Sequence, residues 1–151
     1  MISILFALIS FNEGEVPVGA VSVLNNRVLV KSGNKMEKDK NPLQHAEMLV
    51  LLRSARILYN LGQPIKFQKL DLYVTLEPCT HYGKTSPCTN IIIRSKIKEV
   101  IFSIIDPDIR TKSKSFKIFK KKRIKVKFGL LQNEAKKIYK PYIYNKSTKL
   151  P

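Results

Sequence analysis

The chain has 151 residues, of which 44% are hydrophobic, so it is long enough for one domain with a buried core and gives no reason to expect a second. Two cysteines are too few for a disulfide framework, and residues 1–11 lack the basic region of a signal peptide and are too short to span a bilayer, so we expect a cytoplasmic protein with no membrane partner. Residues 110–151 hold 15 basic residues against one acidic residue and dominate the net charge of +17.

The first half of the chain predicts a helix, a hairpin and a second helix. Residues 2–12 are apolar enough for a buried helix, and residues 16–33 alternate like two strands that turn at Asn25 and Asn26. The most regular helical pattern covers residues 44–62. Its apolar residues recur at helical spacing at Met48, Leu49, Leu52, Ala55 and Leu58.

Strands and helices alternate in the second half. The predicted elements are a strand at 70–76, a helix at 86–96, a strand at 99–105, a basic helix at 116–122, an edge strand at 123–129 and a last helix at 133–144. Ser86 is the predicted N-cap of its helix and Pro87 the first helical residue, whereas Pro141 is expected to interrupt the last helix. This alternation predicts an α/β sandwich around one central sheet.

Four residues at the predicted ends of these elements have the chemistry of a catalytic zinc site. His45 and Glu47 fall in the first turn of one helix, Cys79 follows a strand, and Cys88 falls in the first turn of another helix. One imidazole and two thiolates leave a fourth zinc position for water, and Glu47 could move protons between that water and a leaving group. His45 alone would suit a core histidine, and the cysteines alone could be ordinary buried thiols, but the combination predicts a metal site.

His45-Ala46-Glu47 and the segment TLEPC at 75–79, followed by Cys88, resemble the zinc signature of the cytidine-deaminase superfamily. The resemblance implies a three-layer α/β/α sandwich with one mixed sheet of about five strands. It also implies Zn²⁺ as cofactor and a homo-oligomer, because superfamily members often assemble as dimers or tetramers. The usual superfamily signature places two residues between its cysteines, whereas eight separate Cys79 from Cys88 here.

That longer spacing resembles the deaminase domain of the bifunctional riboflavin-biosynthesis deaminase/reductase, through PCTHYGKTSPCTN at 78–90. The resemblance implies hydrolytic loss of an amino group, as ammonia, from diaminohydroxyphosphoribosylaminopyrimidine. It also implies substrate contacts from His81, Lys84, Asp106 and Asp108, although Lys84 could instead be a solvated loop lysine. This chain has Asp108 where that family has asparagine, and a negative charge there would repel phosphate. We expect one deaminase domain over 1–151, without the reductase.

Two other functions are compatible with parts of the sequence. GEVPVGAVSVL at 14–24 and NPLQHAEM at 41–48 resemble the tRNA-specific adenosine deaminases, which implies a tRNA partner and conversion of adenosine to inosine at the wobble position. The basic segment 110–149 would also suit an inactive, zinc-stabilised RNA-binding module, although a lysine- and isoleucine-rich proteome would produce the same charge. The loop between the cysteines favours the pyrimidine deaminase, because it would reshape the space that a flipped base enters.

Overall fold

The structure, a computed structural model, describes residues 1–62 and 67–148, with only the backbone of 145–148. Every predicted helix and strand is present, with bounds that differ by a few residues. The elements are α1 (Ile2–Asn12), β1 (Gly19–Leu24), β2 (Arg27–Gly33), α2 (Ala46–Asn60), β3 (Leu70–Leu76), α3 (Cys88–Ser95), β4 (Glu99–Ile104), α4 (Lys114–Lys121), β5 (Lys125–Phe128) and α5 (Gln132–Thr148). Lys149, at the end of the predicted basic segment, lies outside the described residues. None of the described helices combines the length and the apolar character that crossing a membrane would need.

One mixed sheet of five strands forms the centre of the fold, in the order β2-β1-β3-β4-β5. β1 pairs antiparallel with β2 and β3, whereas β3, β4 and β5 run parallel. α1 and α5 contact each other on one face, while α2, α3 and α4 follow one another on the opposite face. Gly19 of β1 faces α1, because a Cβ there would lie 1.9 Å from the Ser3 carbonyl oxygen, whereas the Ser22 hydroxyl lies 2.8 Å from that of Ser54 on α2. The three-layer α/β/α prediction is confirmed.

The face of the sheet that α2 covers is apolar at its centre, as expected for parallel strands packed under helices. Leu70, Leu72, Val74, Val100 and Phe102, all on β3 and β4, are at most 1% exposed. The hairpin is closed by Asn25 and Asn26, whose positive φ angles of 50° and 62° suit a tight two-residue turn. The predicted turn residues are therefore confirmed.

α1 is less buried than its apolar sequence predicts. Only Ala7 and Ser10 are buried, whereas large apolar side chains such as Leu5 (53%) and Leu8 (42%) are exposed. The helix packs its small residues against the sheet, where the glycines of β1 and β2 allow close approach of the two backbones. The larger side chains consequently point away from the sheet, and the prediction of a buried helix was wrong.

Two predicted helix boundaries also need correction. α5 continues through Pro141, which lies with Lys137 on the exposed side of the helix, where a carbonyl that loses its partner can be hydrated. α3 begins at Cys88, so Pro87 is its N-cap and Ser86 lies outside it. A serine cap is unnecessary because Cys79 accepts the first two N–H groups of the helix, from Cys88 on its sulfur (3.2 Å) and from the next residue on its carbonyl oxygen (3.3 Å).

Candidate metal centre and substrate cavity

A cavity of about 710 Å³ opens where the carboxyl ends of β3 and β4 face the start of α2. Ligands bind at this edge of open α/β sheets because the loops that follow neighbouring strands diverge there. Two such loops form much of the wall. The first, called here the ligand loop, spans residues 77–87 after β3, and the second, called the acidic loop, spans residues 105–113 after β4.

The three predicted metal ligands lie close together, and two of them, His45 and Cys79, line this cavity. Donor atoms of His45, Cys79 and Cys88 all lie within 4.8 Å of one another. His45 is the N-cap of α2, with an extended backbone (φ −67°, ψ 146°), rather than a residue of its first turn. Zinc bonds cysteine sulfur at about 2.3 Å and histidine nitrogen at about 2.0 Å, so donors this close need only small rotations to share one ion. The soft donor set and its spacing fit zinc.

The two thiols differ in how readily they ionise. Hydrogen bonds from Cys88 lower the pKa of Cys79, whereas the hydrogen bond to Cys79 and burial raise the pKa of Cys88. Cys79 is therefore the first of the pair to become a thiolate. A bound cation stabilises a second thiolate beside the first, since its charge offsets the repulsion between them.

Glu47 lies in the first turn of α2, and its side chain is buried. Burial raises the pKa of Glu47, while the neighbouring His45 lowers it. The Glu47 carboxylate in turn raises the pKa of both Cys79 and Cys88, and Glu47 lines the cavity together with His45 and Cys79. A carboxyl group with a raised pKa next to a metal site is suited to accept and return a proton.

Glu77 connects the two loops from inside the protein. Its side chain is 1% exposed and accepts four hydrogen bonds, from the backbone N–H groups of Asp106 (3.1 Å), Ser113 (3.0 Å) and Ser115 (3.1 Å) and from the Ser115 hydroxyl (2.8 Å). These donors satisfy a buried carboxylate that would otherwise be costly to desolvate. Glu77 therefore fixes the path of the acidic loop.

A second set of hydrogen bonds joins the loops nearer the cavity. The Thr80 hydroxyl donates to the carbonyl oxygen of Arg110 (2.9 Å), and the Thr80 N–H donates to the Thr111 hydroxyl (3.3 Å). The same Thr111 hydroxyl lies 3.1 Å from Nδ1 of His81. His81 is thus oriented by a residue of the other loop.

The predicted substrate contacts His81, Lys84, Asp106 and Asp108 all line the cavity. The Asp108 carboxylate accepts hydrogen bonds from the backbone N–H (3.0 Å), from Nε (3.0 Å) and from a terminal nitrogen of Arg110, which also lines the cavity. An arginine paired in this way largely neutralises the aspartate. The positive charge of Arg110 therefore offsets the negative charge that was expected to repel phosphate, and the sequence alone did not predict this pair.

Sequence analysis also missed cavity residues from elements that are remote in the chain. Asn34 follows β2 and is 3% exposed, and Tyr139 on α5 is 3% exposed. Burial, reinforced by Asp106, raises the pKa of Tyr139 above its usual range, so its hydroxyl stays neutral. A tyrosine at a core position of an amphipathic helix gives no sign of facing a site, although a polar Asn34 directly after a buried strand is a usable signal.

The sequence and the fold both match proteins of known activity. Residues 2–104 match the model of the cytidine and deoxycytidylate deaminase zinc-binding region. A diaminohydroxyphosphoribosylamino-pyrimidine deaminase of Buchnera aphidicola subsp. Schizaphis graminum is 36% identical over 134 residues, which cover 89% of this chain and 82% of that protein.

Two solved structures share the fold and at least a quarter of the sequence. A diaminohydroxyphosphoribosylaminopyrimidine deaminase/5-amino-6-(5-phosphoribosylamino)uracil reductase from Thermotoga maritima superposes with a TM-score of 0.72 and 32% identity, over 89% of this chain and 36% of that chain. A structure from a study of A-to-I editing by tRNA:A34 deaminases at the wobble position of transfer RNA superposes with a TM-score of 0.74 and 29% identity, over 91% of this chain and 95% of that chain.

Proposed function

The chain belongs to the cytidine and deoxycytidylate deaminase zinc-binding family and is a hydrolytic deaminase, and we propose that its substrate is the phosphorylated pyrimidine diaminohydroxyphosphoribosylaminopyrimidine. One observation carries the choice of substrate. The ligand loop, which the sequence shares with riboflavin-biosynthesis deaminases, places His81 and Lys84 on the wall of the cavity that contains the metal donors. The 36% identity to a pyrimidine deaminase over 89% of the chain supports the same choice.

His45, Cys79 and Cys88 would hold the zinc ion, as their convergence within 4.8 Å supports. Zinc bound there supplies a Lewis acid that makes a water molecule nucleophilic at neutral pH. Glu47 takes a proton from the attacking water and delivers it to the departing amino group. The water oxygen bonds to the ring carbon that carries the amino group, the bond from that carbon to the amino nitrogen breaks, and ammonia leaves. The second proton of the water passes to the adjacent ring nitrogen, so the carbon becomes a carbonyl.

The remaining cavity residues bind and orient the substrate. Lys84 is exposed at the cavity wall and forms no ion pair within the described residues, so its ammonium group is available to a phosphoryl oxygen. The cavity of about 710 Å³ is of the size that small-molecule ligands occupy. A phosphorylated pyrimidine nucleotide analogue therefore fits both its volume and its polar groups.

A tRNA adenosine is the second candidate substrate, because the tRNA:A34 deaminase structure matches the fold at 29% identity and the basic surface would suit RNA. Zinc-loaded protein should be given the pyrimidine phosphate and an anticodon stem-loop in separate reactions. We expect ammonia release from the pyrimidine and no inosine in the RNA. Inosine formation with an unreacted pyrimidine would replace the proposal with the second candidate. Light scattering on the same preparation can test the homo-oligomer that is expected from the superfamily.

A further inference from the structure

Thr111 holds a hydroxyl group at the junction of the two loops, away from solvent. The residue is completely buried and lies in the acidic loop. Within the described part of the chain its hydroxyl oxygen has two polar contacts, the Thr80 N–H at 3.3 Å and Nδ1 of His81 at 3.1 Å. Neither contact takes part in the deamination chemistry proposed above.

The hydrogen-bond donors and acceptors at this junction indicate which nitrogen of the His81 ring carries the hydrogen. A backbone N–H only donates, so the Thr111 oxygen accepts from Thr80. The threonine's own hydrogen then needs an acceptor, because a buried hydroxyl without one loses stability and no water reaches it. Nδ1 of His81 can serve as that acceptor only when it carries no hydrogen. In a neutral imidazole the hydrogen must then be on Nε2.

We propose that Thr111 is a positioning residue that fixes His81 as the Nε2–H tautomer, so that His81 donates a hydrogen bond to an oxygen atom of the substrate. The inference rests on the proposed deaminase function. His81 lines the cavity together with Lys84 of its own loop. Since both then present N–H groups, they form a subsite for an oxygen acceptor, which is either the phosphoryl group or a ring carbonyl.

The tautomer can be read directly, because the chain contains only two histidines. Zinc-loaded protein labelled with ¹⁵N-histidine should be examined by long-range ¹H–¹⁵N correlation at alkaline pH, with His81 assigned from His81→Gln. We expect a protonated Nε2 and an unprotonated Nδ1 on His81. A protonated Nδ1 in the wild-type protein would overturn the proposal, whether or not any variant folds.

Variants separate the role of Thr111 from general support of the loops. Thr111→Val removes the donor to Nδ1 and should give a mixture of His81 tautomers, whereas Thr111→Ser should keep the wild-type spectrum. Thr80→Val is the matched control, because it removes the hydrogen bond from the Thr80 hydroxyl to the Arg110 carbonyl and leaves the His81 contact in place. A Thr111→Val spectrum identical to that of the wild type, or a tautomer change in Thr80→Val, would refute the assignment.

Kinetics identify the substrate oxygen. We expect Thr111→Val to raise KM about three- to tenfold, the effect of weakening one hydrogen bond, with a smaller change in kcat. A rise confined to the phosphorylated pyrimidine assigns His81 to the phosphoryl group, and an equal rise for the dephosphorylated riboside assigns it to a ring carbonyl. An unchanged KM for both compounds would contradict the donor role. A wild-type protein with the expected tautomer and no turnover of either compound would instead contradict the proposed function.

Discussion

The two sides of the cavity are held in place by different forces. His45 and Glu47 stand at the start of α2, which is anchored in the hydrophobic core by buried residues such as Val50 and Leu51. The ligand loop and the acidic loop are irregular segments, and they are joined by hydrogen bonds to one buried carboxylate and one buried hydroxyl. The side that carries the proton transfer is thus set by apolar packing, and the side that recognises substrate by a polar network.

This difference predicts how mutations on each side affect stability and substrate binding. Apolar packing is not directional, so a shortened core side chain lowers the free energy of unfolding while the helix keeps its place in the remaining folded molecules. Hydrogen bonds are directional, and a missing partner leaves a buried donor unsatisfied and lets the loop change its path. Packing mutations should therefore change stability, whereas network mutations should change both stability and KM.

The largest effect is expected from Glu47→Gln, which tests the chemistry on the α2 side. Glutamine keeps the shape of the side chain but cannot accept the proton of the attacking water, so kcat should fall by about 10²- to 10⁴-fold. Zinc content, measured by atomic absorption, should stay the same because the three donors are untouched. If the variant releases ammonia at the wild-type rate, Glu47 does not transfer the proton. Cys79→Ala is the matched comparison, since it should lose both activity and zinc.

Leu51→Ala tests the packing of α2. Leu51 is 2% exposed in the core, and truncating a buried leucine typically lowers the free energy of unfolding by about 2–5 kcal/mol. Urea denaturation should show that loss, while KM and kcat per zinc-loaded molecule at low temperature stay close to wild type. A marked rise in KM would mean that α2 also controls substrate binding and would contradict the expected difference between the two sides. The exposed Leu52→Ala on the same helix is the control for loss of side-chain volume.

Glu77→Gln tests the polar network on the other side. The four groups that point at this carboxylate are all donors, so the amide NH₂ of glutamine would face at least one of them without a partner. We expect a loss of about 1–3 kcal/mol in the free energy of unfolding together with a raised KM. Ser115→Ala removes only one donor and should cost less. A variant as unstable as predicted but with an unchanged KM would show that the acidic loop keeps its path without Glu77.

The sequence predicted the α2 side better than the loop side for a physical reason. His45 and Glu47 lie in a strongly periodic segment, and regular structure converts sequence spacing directly into spatial spacing. The pairing of Thr111 with His81, across 30 positions, follows from the crossing of two irregular loops, which no periodicity records. The cysteine spacing did reveal that the ligand loop was unusual, but only the fold shows what it touches.

The same distinction explains the errors in the predicted helices. The composition of α1 correctly indicated a helix. Which of its side chains are buried depended on the glycines of two later strands, which let the small residues of α1 pack closely against the sheet. Pro141 was assigned its usual effect of breaking a helix, and that effect is weak on an exposed side. In both cases the surroundings of the helix in the folded protein, which local residue preferences do not record, decided the outcome.

The smallest effect is expected at Arg110, where the polar network reaches solvent. Its ion pair with Asp108 leaves the arginine side chain 57% exposed, so Arg110→Gln should leave the urea midpoint unchanged. The variant removes the positive charge that Arg110 places beside Asp108 at the cavity wall, which should raise KM for the phosphorylated pyrimidine roughly two- to fivefold and less at high salt. The double variant Asp108→Asn/Arg110→Gln removes both charges and should restore most of the lost affinity, because the repulsive group is gone. If the double variant binds as poorly as Arg110→Gln alone, the arginine contacts the phosphoryl group itself rather than acting through Asp108, and recognition on this side is then direct.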